Sequence, residues 1–121
     1  MDRQKELLLK IENLEDDYRR KNKQLDEMID AVNREKLVFN RELEYLYEQM
    51  SYLFNKRGYN DSQEVQPVYH MIDSAQEEAE WIVKRALRKL EEEQEECQFA
   101  YKKQIILYEE EYHRLKKERK F

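Results

Sequence analysis

The sequence holds very few of the residues that make turns. Its 121 residues include one glycine, Gly58, and one proline, Pro67, whereas average globular chains carry roughly 7% glycine and 5% proline. Because these two residue types supply the backbone conformations that turns need, this chain has almost no turns to offer. Folds built from many short elements are therefore excluded.

Cysteine and long apolar runs are scarce as well. The single cysteine, Cys97, excludes an internal disulfide framework and fits a reducing compartment. No apolar run approaches the roughly 18 residues of a membrane span, and residues 1–17 lack the apolar region and cleavage site of a secretory signal. We expect a cytoplasmic protein without a membrane span. Export with a partner, by a route that needs no signal peptide, stays open.

An excess of positive charge is also missing. The chain has 23 Lys and Arg against 28 Asp and Glu, a formal net charge of −5. The two signs are interleaved, and residues 1–60 hold 12 basic and 13 acidic side chains. Neither half offers the basic face that binding to nucleic-acid phosphates requires. We therefore expect no nucleic-acid partner.

Residues that could carry catalysis or bind a metal are sparse. The two histidines, His70 and His113, and the lone cysteine do not have the spacing of a zinc site. Glu110 and His113 form one Glu-x-x-His pair, which is a quarter of the ligand set of a carboxylate-bridged di-iron centre. A run of surface glutamates surrounds that pair. We expect no enzyme activity, no metal and no cofactor.

The dominant feature that is present is an apolar stripe along the first half. It steps by 4, 3, 4, 3 from Leu7 to Leu53, and only Lys21 and Lys36 interrupt it with a charge. A mean step of 3.5 residues keeps side chains on one face of a helix, where a second helix packs. The second half carries its own stripe, from Val68 to Leu115.

The turn between the two stripes is predicted near the middle of the chain. Gly58 suits a left-handed position after a helix, Asp61 or Ser62 could cap the next helix, and Pro67 fits its first turn. We predict one all-α domain over 1–121, with helices over about 3–55 and 65–118 and a loop over about 56–64. Two long helices with a short connection fold back as an antiparallel hairpin.

The seam of this hairpin is predicted from the two stripes. If the turn centres near residue 61, positions that add to about 122 lie at the same height. The predicted seam residues are Leu14, Leu25, Met28, Val32, Phe39, Leu43, Leu46, Met50, Leu53, Ile72, Ala79, Ile82, Leu90 and Ile105.

A second apolar stripe on the first helix indicates a further neighbour. Ala31, Val38, Tyr45 and Tyr52 follow one another every seven residues, and a helix with two apolar faces usually has two neighbours. Tyrosine and tryptophan are favoured at protein interfaces, although these aromatic residues could instead fill a wide hairpin tip. The predicted partner interface is Val38, Tyr45, Tyr52, Tyr69, Trp81, Val83 and Leu87.

The whole chain resembles the LXG-associated α-helical proteins (Lap) of Gram-positive type VII secretion, specifically the longer member of the accessory pair. The resemblance rests on the charged start Met1-Asp2-Arg3-Gln4-Lys5-Glu6, a long first arm and a short tip. It also includes the closing Glu109-Glu110-Glu111-Tyr112-His113-Arg114-Leu115-Lys116-Lys117.

This resemblance implies a non-enzymatic targeting chaperone. Such a protein binds the helical N-terminal domain of an LXG toxin and, with a shorter helical accessory protein, presents the toxin for export. The related WXG-type hairpins carry Trp-x-Gly at the tip, where this chain has Lys56-Arg57-Gly58-Tyr59. It also lacks a C-terminal aromatic-x-x-x-acid signal, so the export signal would come from a partner. The alternative is a self-associating coiled-coil structural protein, for example a homodimer without a toxin client.

Overall fold

Two long helices make up the fold. The computed structural model describes residues 2–59 and 63–118, with α1 over Arg3–Arg57 and α2 over Val65–Glu118. The helices pack together antiparallel, which confirms the predicted all-α hairpin. The first helix extends two residues beyond its predicted end at about residue 55.

Both ends of α1 are capped, and the cap at Gly58 was predicted. At its start, Asp2 accepts a hydrogen bond from the backbone N–H of Gln4 (3.3 Å), which satisfies a donor that has no partner within the helix. At its end, Gly58 has φ of 75°, as predicted. Its N–H donates to the Asn55 carbonyl and the Tyr59 N–H donates to the Phe54 carbonyl (2.9 Å), the bonding pattern of a Schellman motif.

The start of α2 lies beside the turn. Val65 is 2% exposed and is the first residue of the helix. Pro67 lies in the first turn, where its missing N–H leaves no helical hydrogen bond unmade. The proposed caps Asp61 and Ser62 lie outside the described residues.

The hairpin divides into two compact units. The terminal unit contains residues 2–28 and 89–118, and the turn unit contains residues 29–59 and 63–88. In the terminal unit Leu7, Leu25 and Leu90 are buried. Burying such a leucine side chain contributes about 1.5–3 kcal/mol. These residues therefore form the apolar centre of that unit.

Polar and aromatic contacts fix the register of the terminal unit. The rings of Tyr18 and Tyr101 stack with centroids 4.4 Å apart. The side-chain amide of Gln94 donates to the Asp26 carboxylate at 2.7 Å. Near the chain ends, the Arg3 guanidinium donates to the Glu111 carboxylate at 2.9 Å. Each of these contacts joins α1 to α2.

In the turn unit, Tyr69 of α2 packs among side chains of α1. Its ring lies 5.0 Å from that of Tyr47 and meets the Phe54 ring edge-on at 5.8 Å. Its hydroxyl lies 3.0 Å from the Ser51 hydroxyl. Ile72, one turn along, is buried. These residues hold the two helices together beside the turn.

The register differs slightly from the prediction. The paired residues Tyr18 and Tyr101 have numbers that add to 119, and those of Ser51 and Tyr69 add to 120. The sums for the other contacts between the helices run from 114 for Arg3 and Glu111 to 123 for Phe54 and Tyr69. Most of these sums lie below the predicted value of about 122, so the register is displaced by a few residues.

The structure places the predicted seam residues in three environments. Leu25, Ile72 and Leu90 are buried. Leu14, Val32, Phe39, Leu43, Met50, Ala79 and Ile105 are half-buried. Met28, Leu46, Leu53 and Ile82 are exposed, by 39% to 53%.

The exposed seam positions follow from the helical period. A strict seven-residue repeat drifts about 20° per heptad around a straight helix, so the contacting face moves to a neighbouring position. Tyr47 rather than Leu46 faces Tyr69, and Phe54 rather than Leu53 does so one heptad later. In the same way Ile29 and Val83 are half-buried beside the exposed Met28 and Ile82. We therefore correct the seam at these four positions to Ile29, Tyr47, Phe54 and Val83.

Candidate partner-binding surface

The turn unit has two flanks that differ in how well they are covered. An α-helix turns about 100° per residue, so positions around α1 can be measured from Phe39, which lies in the seam. Tyr47, Ser51 and Phe54 lie to one side, and all three contact Tyr69. We call this side the covered flank.

The opposite side, which we call the open flank, is apolar and exposed. On α1 its residues recur at the seven-residue spacing from Val38 to Tyr52, with a second row one position later along the chain. Ile82 of α2 lines one groove with Val38, and helical spacing places Met71, which is 71% exposed, on the same face of α2 as Ile82. The open flank consists of Val38, Tyr45, Leu46, Tyr52, Leu53, Met71 and Ile82.

The tyrosines supply much of its area. Tyr45 and Tyr52 are each 63% exposed. With roughly 150–250 Å² per aromatic side chain, the two together present about 200–300 Å². The largest apolar patch on a typical monomer is roughly 300–600 Å² and is often functional. The remaining open-flank residues add to the tyrosine area, so this flank has the character of a binding surface.

Local contacts hold both tyrosines in place. The Gln49 side-chain amide donates to the Tyr45 hydroxyl at 2.9 Å. The Lys56 ammonium lies 5.9 Å from the centre of the Tyr52 ring, within the range of a cation–π interaction. Each partner lies four residues further along the same helix, which is the spacing at which helical side chains meet. The rings are thus supported while one face of each remains available.

A groove of about 660 Å³ lies between the helices of the turn unit. Small residues create it, because Ala79 and Ala86 of α2 face Val32 and Phe39 of α1 without filling the gap. Its lining includes Ala31 and two open-flank residues, Val38 and Ile82. The groove therefore opens onto the apolar flank.

The structure brings together only part of the predicted interface. Val38, Tyr45 and Tyr52 share the open flank. Tyr69 lies in the covered flank, where its ring packs against α1, so we assign it to the packing of the hairpin. Trp81 is 60% exposed.

The other predicted interface residues of α2 divide between the groove and the rest of the helix. Val83 is half-buried and lines the groove together with Val38 and Ile82. Trp81 points outward from α2, with the Arg85 guanidinium 5.3 Å from its ring. Leu87 is half-buried and is not among the groove-lining residues. We therefore keep Val83 at the groove and separate Trp81 and Leu87 from the candidate surface.

The sequence did not predict four residues of the open flank as part of the partner interface. Leu46, Leu53 and Ile82 were assigned to the seam, and Met71 to neither surface. Met71 lies four residues before Ala75 and eleven before Ile82, so helical spacing places it on their face. That spacing was the available signal for Met71. The sequence period did not identify Leu46, Leu53 and Ile82 as exposed, because the contacting face drifts around each helix.

Titratable groups with perturbed pKa values lie in the terminal unit. Burial raises the pKa of the Tyr101 hydroxyl, and the nearby Glu15 carboxylate adds to this effect. The hydrogen bond from Arg3 lowers the pKa of the Glu111 carboxyl. Both shifts follow from contacts that set the register, and neither group belongs to the open flank.

Within 2–59 and 63–118, no group of three or more His, Cys, Asp or Glu side chains is arranged to hold a metal ion. Neither described helix has a stretch long and apolar enough to cross a membrane.

Comparisons with known proteins identify no relative of this chain. No protein-family model, no curated protein and no solved structure matches this chain. What can be stated of its class therefore comes from the fold and its surface, namely an antiparallel helical hairpin with an exposed apolar flank.

Proposed function

We propose that the protein is a non-enzymatic adaptor that binds helices of a partner protein through the open flank. The observation that carries this proposal is the contiguous set of apolar side chains there, with Tyr45 and Tyr52 each 63% exposed. Tyrosines of this kind often dominate binding energy at protein interfaces. Apolar side chains rather than titratable groups form this surface, which favours binding over catalysis.

A helix is the partner element that suits this flank. The apolar residues from Val38 to Leu53 extend along α1 for about 22 Å at 1.5 Å per residue, which corresponds to about four turns. An amphipathic helix presents apolar residues at the same intervals and can lie along the groove between two others. A partner helix there would be the second neighbour that α1 requires, because α1 has two apolar faces.

We further propose that the partner is the helical N-terminal domain of an LXG toxin, bound together with a shorter helical accessory protein. This identity rests on the resemblance of the chain to the Lap proteins, and the open flank supplies a surface of the required kind. In this role the protein meets its client in the cytoplasm, and the export signal comes from the partner.

Capture from the native host tests this proposal. The tagged protein would be recovered under mild conditions and its partners identified by mass spectrometry. The expected result is a larger protein with a helical N-terminal region and a toxin-like C-terminal domain, in near-stoichiometric amount. Recovery of this chain alone, as a stable oligomer by light scattering, would contradict the client proposal and favour a self-associating structural protein.

A matched pair of variants shows whether the client uses the open flank. Tyr52→Asp lies on that flank, whereas Leu37→Asp changes a residue of similar exposure (57%) on the outer side of α1, about 160° around the helix from Phe39. We expect Tyr52→Asp to reduce recovery of the client and Leu37→Asp to leave recovery unchanged. Equal effects of both variants would mean that the client binds elsewhere.

A further inference from the structure

We infer that, without a client, two copies of this chain pair antiparallel through the open flank, with Tyr45 at the two-fold axis. The inference concerns the same surface as the proposed function but does not depend on the existence of a client. It follows from two kinds of complementarity within α1, one of shape and one of charge.

The complementarity of shape comes from a protrusion and a groove on the same flank. Tyr52 projects from α1, 63% exposed, and the groove lies around Val38. The two positions are 14 residues apart, or about 21 Å along the helix. A two-fold axis midway between them passes through Tyr45. It places Tyr52 of each copy over the groove of the other, as a self-complementary interface requires.

Ala31, one heptad before Val38 on α1, also lines the groove. Its small side chain leaves room beside the position at which Tyr52 of the second copy arrives. A large residue on one copy therefore meets a space bordered by a small residue on the other. This is the arrangement by which side chains of one helix enter the spaces of its neighbour.

The complementarity of charge comes from the residues on either side of the stripe. In the same pairing Glu35 meets Lys56 of the second copy, and Arg41 meets Glu48 of the second copy. Each pair occurs twice because of the symmetry. The other flanking positions pair a charge with a neutral amide: Glu42 with Gln49, and Arg34 with Asn55. No like charges oppose one another at these positions.

Glu35 and Lys56 are well placed for this role. Glu35 lines the groove, and Lys56 lies over the ring of Tyr52. The ammonium group would therefore arrive at the groove with the tyrosine ring and meet the Glu35 carboxylate there. Pairing of this kind covers the apolar flank, so a client would have to displace the second copy to bind.

A charge-reversal experiment tests this pairing with the full-length chain. Glu35→Lys and Lys56→Glu each turn two attractions into two repulsions. Since an exposed pair is worth a few-fold in an equilibrium constant, we expect each variant to dimerise about tenfold more weakly in sedimentation equilibrium at low salt. An equimolar mixture of the two variants restores both attractions, and we expect it to form dimers as tightly as the unchanged chain.

Several outcomes would overturn the inference. These are a chain that stays monomeric at every concentration tested, a mixture that dimerises no better than its components, and a stoichiometry other than two. The chain that carries both substitutions restores both attractions and should dimerise like the unchanged one. This double variant tests the pairing even if one single variant loses its helical circular dichroism signal. Failure of client capture leaves all these results unaffected.

Disulfide trapping checks the position of the axis. In a Cys97→Ser background, Tyr45→Cys places two cysteines opposite each other at the axis, within the separation of roughly 4.4–6.8 Å between Cα atoms that a disulfide spans. We expect rapid formation of a covalent dimer on oxidation. Leu37→Cys in the same background is the control and should form far less. Equal trapping at both positions would refute the pairing.

Discussion

Replacing the two open-flank tyrosines by aspartate should abolish partner binding without unfolding the hairpin. Tyr45 and Tyr52 present about 200–300 Å² together, and at about 25 cal/mol per Å² their burial would contribute about 5–8 kcal/mol before the costs of association. Interface tyrosines that dominate binding typically contribute about 2 kcal/mol each. We therefore expect a loss of about 4 kcal/mol, or roughly a thousandfold in Kd.

The effect on the isolated chain should be small. Tyr45 contacts Gln49 and Tyr52 contacts Lys56, each on the same helix as its partner. Such exposed contacts are worth about 0.5–1 kcal/mol each. Tyrosine and aspartate have similar helix propensities. Moreover, an aspartate at position 52 lies four residues before Lys56 and can pair with it, which returns a few tenths of a kcal/mol.

Two measurements on the same samples separate the outcomes. Circular dichroism with thermal unfolding reports the fold, and titration of the partner, or of the second copy in sedimentation, reports binding. Loss of the helical signal in the double variant would contradict the prediction, because the tyrosines would then belong to the core of the hairpin. Unchanged binding would also contradict it, as would a Leu37→Asp variant that binds as weakly.

Three further predictions concern the packing of the hairpin. Leu25→Ala should lower the free energy of unfolding by about 2–5 kcal/mol, since Leu25 is 1% exposed, whereas Leu9→Ala (48% exposed) should cost far less in the same thermal melts. Because Leu46 is 39% exposed, the Leu46→Asp variant should remain folded at room temperature, as measured by circular dichroism. Complete unfolding of this variant would show that Leu46 belongs to the seam. Arg3→Ala should raise the pKa of Glu111 in an NMR titration, since the Arg3 hydrogen bond lowers it. Because that pKa is depressed in the folded chain, the pair stabilises the fold above the ordinary carboxyl range and loses its effect as the pH falls through the folded pKa.

The hairpin itself was predictable because its causes are local. The end of α1 depends on the left-handed Gly58, and the start of α2 tolerates Pro67. The apolar period adds that each helix needs a neighbour along one face. These signals lie within a few residues of the structures that they determine.

The candidate surface was only partly predictable because it depends on how the two helices meet. The seven-residue stripe identified Val38, Tyr45 and Tyr52, and the structure places all three on the open flank. The same periodic reasoning assigned Leu46 and Leu53 to the seam. The choice between adjacent positions is set by about 20° of rotation per heptad, which a sequence period of 3.5 or 3.6 residues does not resolve.

The sequence by itself therefore determined the number of helices, their limits to within about one turn, and the presence of more apolar surface than one seam uses. Only the tertiary structure decided which apolar residues were left over. Packing Tyr69 against Tyr47 and Phe54 turned one flank inward and left Tyr45 and Tyr52 outward. Helix formation depends on neighbours along the chain, whereas exposure depends on the register and rotation of a second helix, and those are fixed only when both helices pack.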